Sequence, residues 1–382
     1  MGGLTPHAMP DPADLEEERA ARAALARLAE PGDPWLGRAV AGLGATAVLE
    51  RVRRARAGEP DRLAHYRVRL PSLDADAELT RRAGARLVAP GDDEWPAALD
   101  DLGERAPLVL WVSGECRLDE IVGRSVAVVG ARACTAYGEH VAAELAAGLG
   151  DRGWSVVSGG AYGIDAAAHR GALAVDAPTV AVLACGVDVA YPAAHDTLLA
   201  AVRAAGAVVS EMPPGARPTR VRFLHRNRVI AALSRGTVVV EAALRSGALN
   251  TAGHAEELSR VVMAVPGPVT SESSMGCHEL VRTRGAALVT RAADVLDLVG
   301  ELGSDRSDLR RGADRPTDGL EPTTMRVLEA LPLRRRAPAD SIGRVAGLDP
   351  GTVLRALGLL RSLGLADGQD GRWRRASPGP PL

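Results

Sequence analysis

Five arginines fall within twelve residues of this chain, RPTRVRFLHRNR at 217–228, and no acid stands among them. Guanidinium forks pair bidentately with phosphate oxygens, so Arg217, Arg220, Arg222, Arg226 and Arg228 could follow the backbone of a nucleic-acid strand. A second set of residues suits the same anion. Gly130-Ala131-Arg132, the run Ser158-Gly159-Gly160-Ala161-Tyr162-Gly163, and Ser246-Gly247 are small or glycine-rich turns. Glycine lets a backbone come close to a ligand, and a helix opening just after such a turn points N–H groups at an anion. Arg132 directly follows an apolar run and is the other guanidinium expected to contact phosphate. Expected phosphate contacts are therefore Gly130, Arg132, Ser158, Gly159, Gly160, Gly163, Arg222, Arg226, Asn227, Arg228, Ser246 and Gly247.

Catalytic readings find less support. Asp165 and His169 stand at i and i+4, within mutual reach on a helix. No GxSxG, HExxH or carboxylate dyad accompanies them, so a helix-start role for Asp165 and a packing role for His169 are expected. Glu211 and Glu241 end strands near the turns. A carboxylate there would repel phosphate, so they are expected to orient arginines or backbone amides. All 46 basic residues are arginine, which excludes the Walker lysine and Schiff-base chemistry. The first turn, GARACTAYG, is not GxGxxG, and no acid ends the second strand to hold a ribose, so neither NAD nor any other cofactor is expected. Four cysteines without CxxC spacing point to reduced thiols, no metal site and a cytoplasmic setting.

These turns need elements to hold them. Short β-branched runs at Ser125–Gly130, Ser155–Ser158, Thr179–Ala184, Ala207–Glu211, Thr237–Ala242 and Val261–Val265 alternate with helical stretches such as Ala136–Leu149 and Tyr191–Ala205. Continuous apolar strands imply burial on both faces. The fold class is therefore α/β, a Rossmann-like doubly wound parallel sheet, whose ligands bind at the carboxyl ends of the strands. Around this core domain, 91–300, the expectation is a disordered tail over 1–15 and a helical domain over 16–90. A polar linker covers 301–320, and a winged helix covers 321–382. The Leu-Gly-Ala element between the early helices resembles a SAM or helix–hairpin–helix module. The winged-helix segment holds ten arginines against six acids over 321–376, whereas the whole chain has a net charge of −2. Any nucleic-acid contact must therefore come from local patches. One Phe and four Tyr leave few platforms for stacking bases, which favours phosphate contacts. No apolar run approaches membrane-spanning length, so no membrane partner is expected.

Taken together, the motifs resemble those of the DNA-processing family known as DprA or Smf. Ser125–Arg132 is similar to its VAIVGSR strand and turn, with Thr135-Ala136-Tyr137-Gly138 following. Ser158–His169 matches SGxAxGIDxxAH, and Arg226–Ser234 matches RNRIIAALS. Val238–Ala242, Ser246–Leu249, Thr251-Ala252 and Ala264–Gly267 resemble VVVEA, SGSL, TA and AVPG. The resemblance is specific from about 95 to 300. It implies a non-enzymatic protein that binds and protects single-stranded DNA, forms a homodimer, and helps load the RecA recombinase in transformation. The family's phosphate-contacting arginine falls on Arg132, and its RNR pair on Arg226 and Arg228. Leu224, Ala131 and His278 replace the usual Pro, Ser and Asn. The dimer is placed in 230–300, on the apolar helix Val229–Leu233 beside strand Thr237–Val240. The competing reading is a nucleotide phosphoribohydrolase of the Lonely-Guy type. Its PGGxGTxxE should follow the fifth strand, but Ser246–His254 puts His254 where the acid belongs.

Overall fold

A computed structural model of the chain describes residues 12–55, 66–67, 73–301 and 317–376. The tail expected over 1–15 lies outside the described residues as far as residue 11, and the helix Pro12–Leu28 begins directly after it. The linker expected over 301–320 lies outside them from 302 to 316. Two compact units divide at residues 307 and 308.

In the first unit, helices Pro12–Leu28, Pro34–Leu43 and Ala45–Arg54 enclose a core of Leu25, Leu28, Leu36, Val40, Val48, Leu49 and Val52. Their ends are set by local chemistry. Asp33 caps the second helix, accepting from the N–H groups of Trp35 (2.9 Å) and Leu36 (3.2 Å), with Pro34 in the first turn. Glu18 accepts from the amides of Ala45 (2.8 Å) and Thr46 (3.0 Å), so a first-helix carboxylate closes the start of the third. The boundary expected near residue 90 does not separate compact units. Ala23 shares a buried cluster with Trp111 and Ala181 of the sheet, and Arg19 grips Asp92 through two hydrogen bonds of 3.2 and 2.6 Å.

The sheet has nine strands: β1 (Arg86–Val88), β2 (Leu110–Ser113), β3 (Ser125–Val129), β4 (Ser155–Ser158), β5 (Thr179–Leu183), β6 (Ala207–Ser210), β7 (Gly236–Val239), β8 (Val261–Ala264) and β9 (Ala287–Leu288). Their order is β1-β2-β6-β5-β4-β3-β7-β8-β9. Strands β3 to β9 are mutually parallel, whereas β1 and β2 join antiparallel, with Trp111 opposite Ser210. Sequence patterning missed this antiparallel pair, because β1 has only three residues and β2 reads as part of an irregular bridge. Alternate residues of β3 feed different clusters: Ala127 and Val129 pack on one face, Val126 and Val128 on the other. The chain runs from β3 to β4 on one side of β3 and later returns to β7 on the other. The crevice between the carboxyl ends of β3 and β7 is thus the topological switch point, where an open sheet concentrates its ligand contacts.

The helix Val229–Leu233 and the strand beside it do not form an outer face. Val229 to Leu233 and Val238 to Val240 are at most 2% exposed, sunk in the unit's own core, so this reason for expecting self-association is overturned. Exposed apolar side chains lie further along, at Val269, Met275, Val281 and Leu288, the last on edge strand β9.

The second unit packs helices Pro322–Ala330, Ala339–Ala346 and Pro350–Ser362 around Val327, Leu328, Ile342, Val353, Leu357 and Leu360. Strands β10 (Ala337–Pro338), β11 (Ala366–Gln369) and β12 (Arg372–Arg375) form an antiparallel sheet in the order β10-β12-β11. Among the described residues, no helix is long and apolar enough to cross a membrane.

Candidate nucleic-acid interface

A cleft of about 500 Å³ opens at the switch point. The turn after β3 supplies Gly130 and Arg132. Ser246 and the first residues of helix Gly247–Glu257, Gly247 and Ala248, come from the segment after β7, and the first two turns of helix Arg220–Ala232 supply Arg220, Phe223, Arg226 and Asn227. The arginine run therefore lies mostly on a helix and not on a loop ahead of one. Thr219 caps this helix, its hydroxyl accepting from the N–H of Arg222 (3.3 Å). Helical spacing then sends neighbouring arginines in different directions.

Arg132 and Arg220 are exposed on the cleft rim and make no ion pair among the described residues. Arg132 holds its guanidinium 4.5 Å from the centre of the Phe223 ring. Such a cation–π contact orients the group without neutralising it. Arg226 is 6% exposed and forms the cleft floor; one Nη donates to the carbonyls of Gly159 (2.7 Å) and Val182. Its buried Nε has no partner. Burial pulls this guanidinium down to about 10, opposed by attraction to Asp165, so it remains a cation at neutral pH. The Asp165 carboxyl, buried behind it, is pushed up by burial and pulled down by Arg226 and by the amide of Ala161, whose N–H it accepts at 3.3 Å.

Arg222 and Arg228 leave the cleft. Arg222 donates twice to Glu30, both at 2.9 Å, and once to the carbonyl of Arg217. Arg228 is 1% exposed and donates to both oxygens of Glu211, at 2.5 and 2.6 Å, while its Nε holds the carbonyl of Arg105 (2.9 Å). Glu211 therefore orients an arginine. Glu241 holds the N–H (2.9 Å) and hydroxyl (2.7 Å) of Thr135, steadying the turn that carries Arg132.

The glycines explain themselves differently from an open anion cradle. A Cβ at Gly159 would stand 2.2 Å from Arg226 Nη1, one at Gly130 would be 2.5 Å from Ile164 Cγ1, and one at Gly163 2.3 Å from the carbonyl oxygen of Ala131. These residues let the turns interlock and admit the Arg226 guanidinium. Gly160 and Gly163 also adopt positive φ, 66° and 74°. Ser158 is buried, its hydroxyl donating to the carbonyl of Val128 (2.7 Å). Of the twelve expected contacts the cleft gathers Gly130, Arg132, Arg226, Asn227, Ser246 and Gly247. It excludes Ser158, Gly159, Gly160, Gly163, Arg222 and Arg228. Asn227 links helix and turn by donating to the Gly247 carbonyl (3.3 Å) and Asn250 Oδ1 (3.1 Å).

Beyond those six, the cleft is also lined by Arg220, named with the arginine run but not among the twelve, and by two rings not expected there, Phe223 and Tyr191. Phe223 and Tyr191 lie 5.5 Å apart, ring to ring, and Tyr191 is 43% exposed. A signal existed, because the chain's only phenylalanine sits inside the arginine run at 217–228.

The lining includes no histidine or cysteine, and Asp165 is its one carboxylate. His169 lies elsewhere: its Nδ1 bonds Thr179 Oγ1 (2.8 Å), whose hydroxyl donates to the Val156 carbonyl. Asp165 and His169 make no mutual hydrogen bond. His254 pairs with Glu257 (3.0 Å) away from the cleft. No group of three potential metal ligands occurs among the described residues. The N-terminus of helix Gly247–Glu257, two exposed guanidiniums, one buried one and an aromatic pair suit an extended anion bearing planar groups.

The model of the DNA recombination-mediator protein A family matches residues 86–300. The chain is 51% identical over 364 residues to a protein of Mycobacterium tuberculosis described as a putative DNA processing protein DprA, covering 92% of each chain. It is 42% identical over 205 residues to the DNA processing protein DprA of Streptococcus pneumoniae, covering 54% of this chain and 71% of that one. The X-ray structure of the S. pneumoniae protein superposes with a TM-score of 0.62 at 32% identity, over 75% of this chain and 98% of that one. A Helicobacter pylori DprA structure, described by its single-stranded DNA binding mode, gives 0.51 at 26% identity, over 56% and 96%.

Proposed function

This chain belongs to the DNA recombination-mediator protein A family, and from its cleft we propose that it holds single-stranded DNA by the backbone without making or breaking covalent bonds. The observation that carries this reading is the pair of unneutralised guanidiniums, Arg132 and Arg220, on the rim of a switch-point cleft floored by a third. The contacting set is Gly130, Arg132, Arg220, Arg226, Asn227, Ser246 and Gly247, with Phe223 and Tyr191 offering faces to one or two bases. Arg222 and Arg228 brace the helix. The H. pylori relative's described binding mode supports the same ligand. Asp165 is the lining's one carboxylate, and the segment after β7 supplies none, which disfavours the phosphoribohydrolase reading.

The remaining assignments extend this proposal. The first helices act as a SAM-like module and the second unit as a winged helix. The chain pairs as a homodimer through the surface of Val269, Met275, Val281 and Leu288. It then hands bound strands to the RecA recombinase during transformation. Gel-shift comparison of oligo-dT with a matched duplex, at moderate salt, tests the core reading. Tighter binding of the single strand is expected, with little sequence preference, because phosphate contacts carry no base information. No measurable binding of the single strand would remove the cleft model.

A further inference from the structure

The second unit carries another concentration of arginine that the cleft does not use. Residues 321–376 have a net charge of +4, against −6 on the rest of the chain, and the two together give its −2. The surplus is gathered on one small sheet. Ala337 of β10 lies opposite Trp373 of β12, and the N–H of Arg375 donates to the carbonyl of Pro332 (3.0 Å). Arg334, Arg335 and Arg336, in the bend leading into β10, therefore come near Arg372, Arg374 and Arg375 of β12. Two of the six are spent internally: Arg336 and Arg374 both donate to Asp367, at 2.7 and 2.9 Å. The other four, Arg334, Arg335, Arg372 and Arg375, are exposed and make no ion pair among the described residues. Asp370, in the turn between β11 and β12, is the hairpin's other acid.

Four free guanidiniums on β12 and on the bend leading into β10, in a protein of net negative charge, form a local polyanion contact. The one aromatic there, Trp373, is half-buried against the unit's core and lies over Gly368, so little of its ring is left for a base. Unstacked bases would gain little there, whereas duplex DNA presents its phosphates at higher density and releases more counterions for each phosphate neutralised. We propose that Arg334, Arg335, Arg372 and Arg375 form a second nucleic-acid contact, which grips the backbone of duplex DNA without regard to sequence. This surface is independent of the cleft and uses none of its residues.

The experiment uses the full chain and fluorescence anisotropy from low salt upward, with a short blunt duplex and with oligo-dT. Replacing all four arginines with Ala should weaken duplex binding at low salt by at least about tenfold and flatten its salt dependence by roughly 0.9 for each phosphate left unneutralised. Oligo-dT binding should hold, and thermal unfolding should not move. The matching fourfold change to Lys should retain duplex binding, since it keeps the charges. The proposal is overturned if the folded Ala variant binds duplex like the parent, if the Lys variant is as weak as the Ala variant, or if oligo-dT binding falls by the same factor. Should the parent chain fail to bind oligo-dT at all, the cleft reading fails while the duplex comparison still decides this second contact.

Discussion

Arg220 and Arg228 stand on one helix, yet they belong to different parts of the molecule. Arg220 faces an open cleft and keeps its charge available. Arg228 is sealed against Glu211 and the carbonyl of Arg105. Between them Arg226 holds an intermediate place, its hydrogen bonds turned inward but its charge at the cleft floor. What separates them is the burial of each position and the acid that the fold brings to it. Glu30 reaches Arg222 from 192 residues earlier in the chain, and Glu211 reaches Arg228 from the end of β6. A charge run is therefore a supply of guanidiniums, from which tertiary structure selects some for the ligand and others for the fold.

The contrast breaks most visibly at Arg228. Arg228→Met leaves Glu211 buried and uncompensated and should cost about 3–5 kcal/mol in denaturant unfolding, while Arg228→Met with Glu211→Leu should recover much of it. Both variants, measured where folded, should bind oligo-dT with the parent's salt dependence. A stable Arg228→Met that had lost DNA binding would put Arg228 back among the ligand contacts. On the cleft side, Phe223→Ala should lose about 1–3 kcal/mol of affinity for oligo-dT if a base stacks there, and far less for an abasic strand. Equal losses on both strands would mean that Phe223 serves only to orient Arg132.

The buried side also has a pH signature. Burial holds His169 down to about 3, so the unfolded chain takes up a proton near pH 6.5 that the folded chain refuses. Stability should fall by about 1.4 kcal/mol per pH unit from this group as pH drops below 6.5, until about 3. Asp165, raised by burial, works in the opposite direction over the carboxylate range. The test is therefore the difference between the parent and His169→Asn in melting temperature against pH, which should shrink as the solution is acidified. A constant difference would deny that His169 is held neutral. The smallest effect belongs to Glu30. Its pair with Arg222 is half exposed, so Glu30→Gln should cost at most about 1 kcal/mol of stability. The same change frees a guanidinium beside the cleft and should steepen the salt dependence of oligo-dT binding by up to about 0.7. An unchanged slope would show that Arg222 lies beyond the strand's path.

The parallel strands were legible because β-branched runs buried on both faces read as continuous apolar segments, and the switch-point turns followed from them. Strands β1 and β2 were not, since antiparallel edge pairing of short segments leaves little periodicity. The site was half legible. Arg132 could be located because its position after β3 is set by chain connectivity alone. Arg222 and Arg228 could not be sorted from Arg220, because their partners are distant in sequence. The glycines were correctly singled out for the wrong neighbour: Gly159 makes room for Arg226, and no local pattern announces that contact. Phe223 was passed over because aromatic scarcity was read as a lack of stacking platforms, although the few aromatics are placed where they count.

The central claim is that Arg132 and Arg220 meet phosphate with their charge unspent. The most direct measurement is the salt dependence of oligo-dT binding by Arg132→Ala with Arg220→Ala, alongside Arg282→Ala, an exposed arginine paired only with Glu279. The double variant should unfold like the parent, bind more weakly at every salt concentration, and lose roughly 1.4 from the magnitude of its log–log slope, about 0.7 for each of two phosphates. Arg282→Ala should change neither affinity nor slope. A folded double variant with the parent's affinity and slope would contradict the account and move single-strand binding away from the cleft.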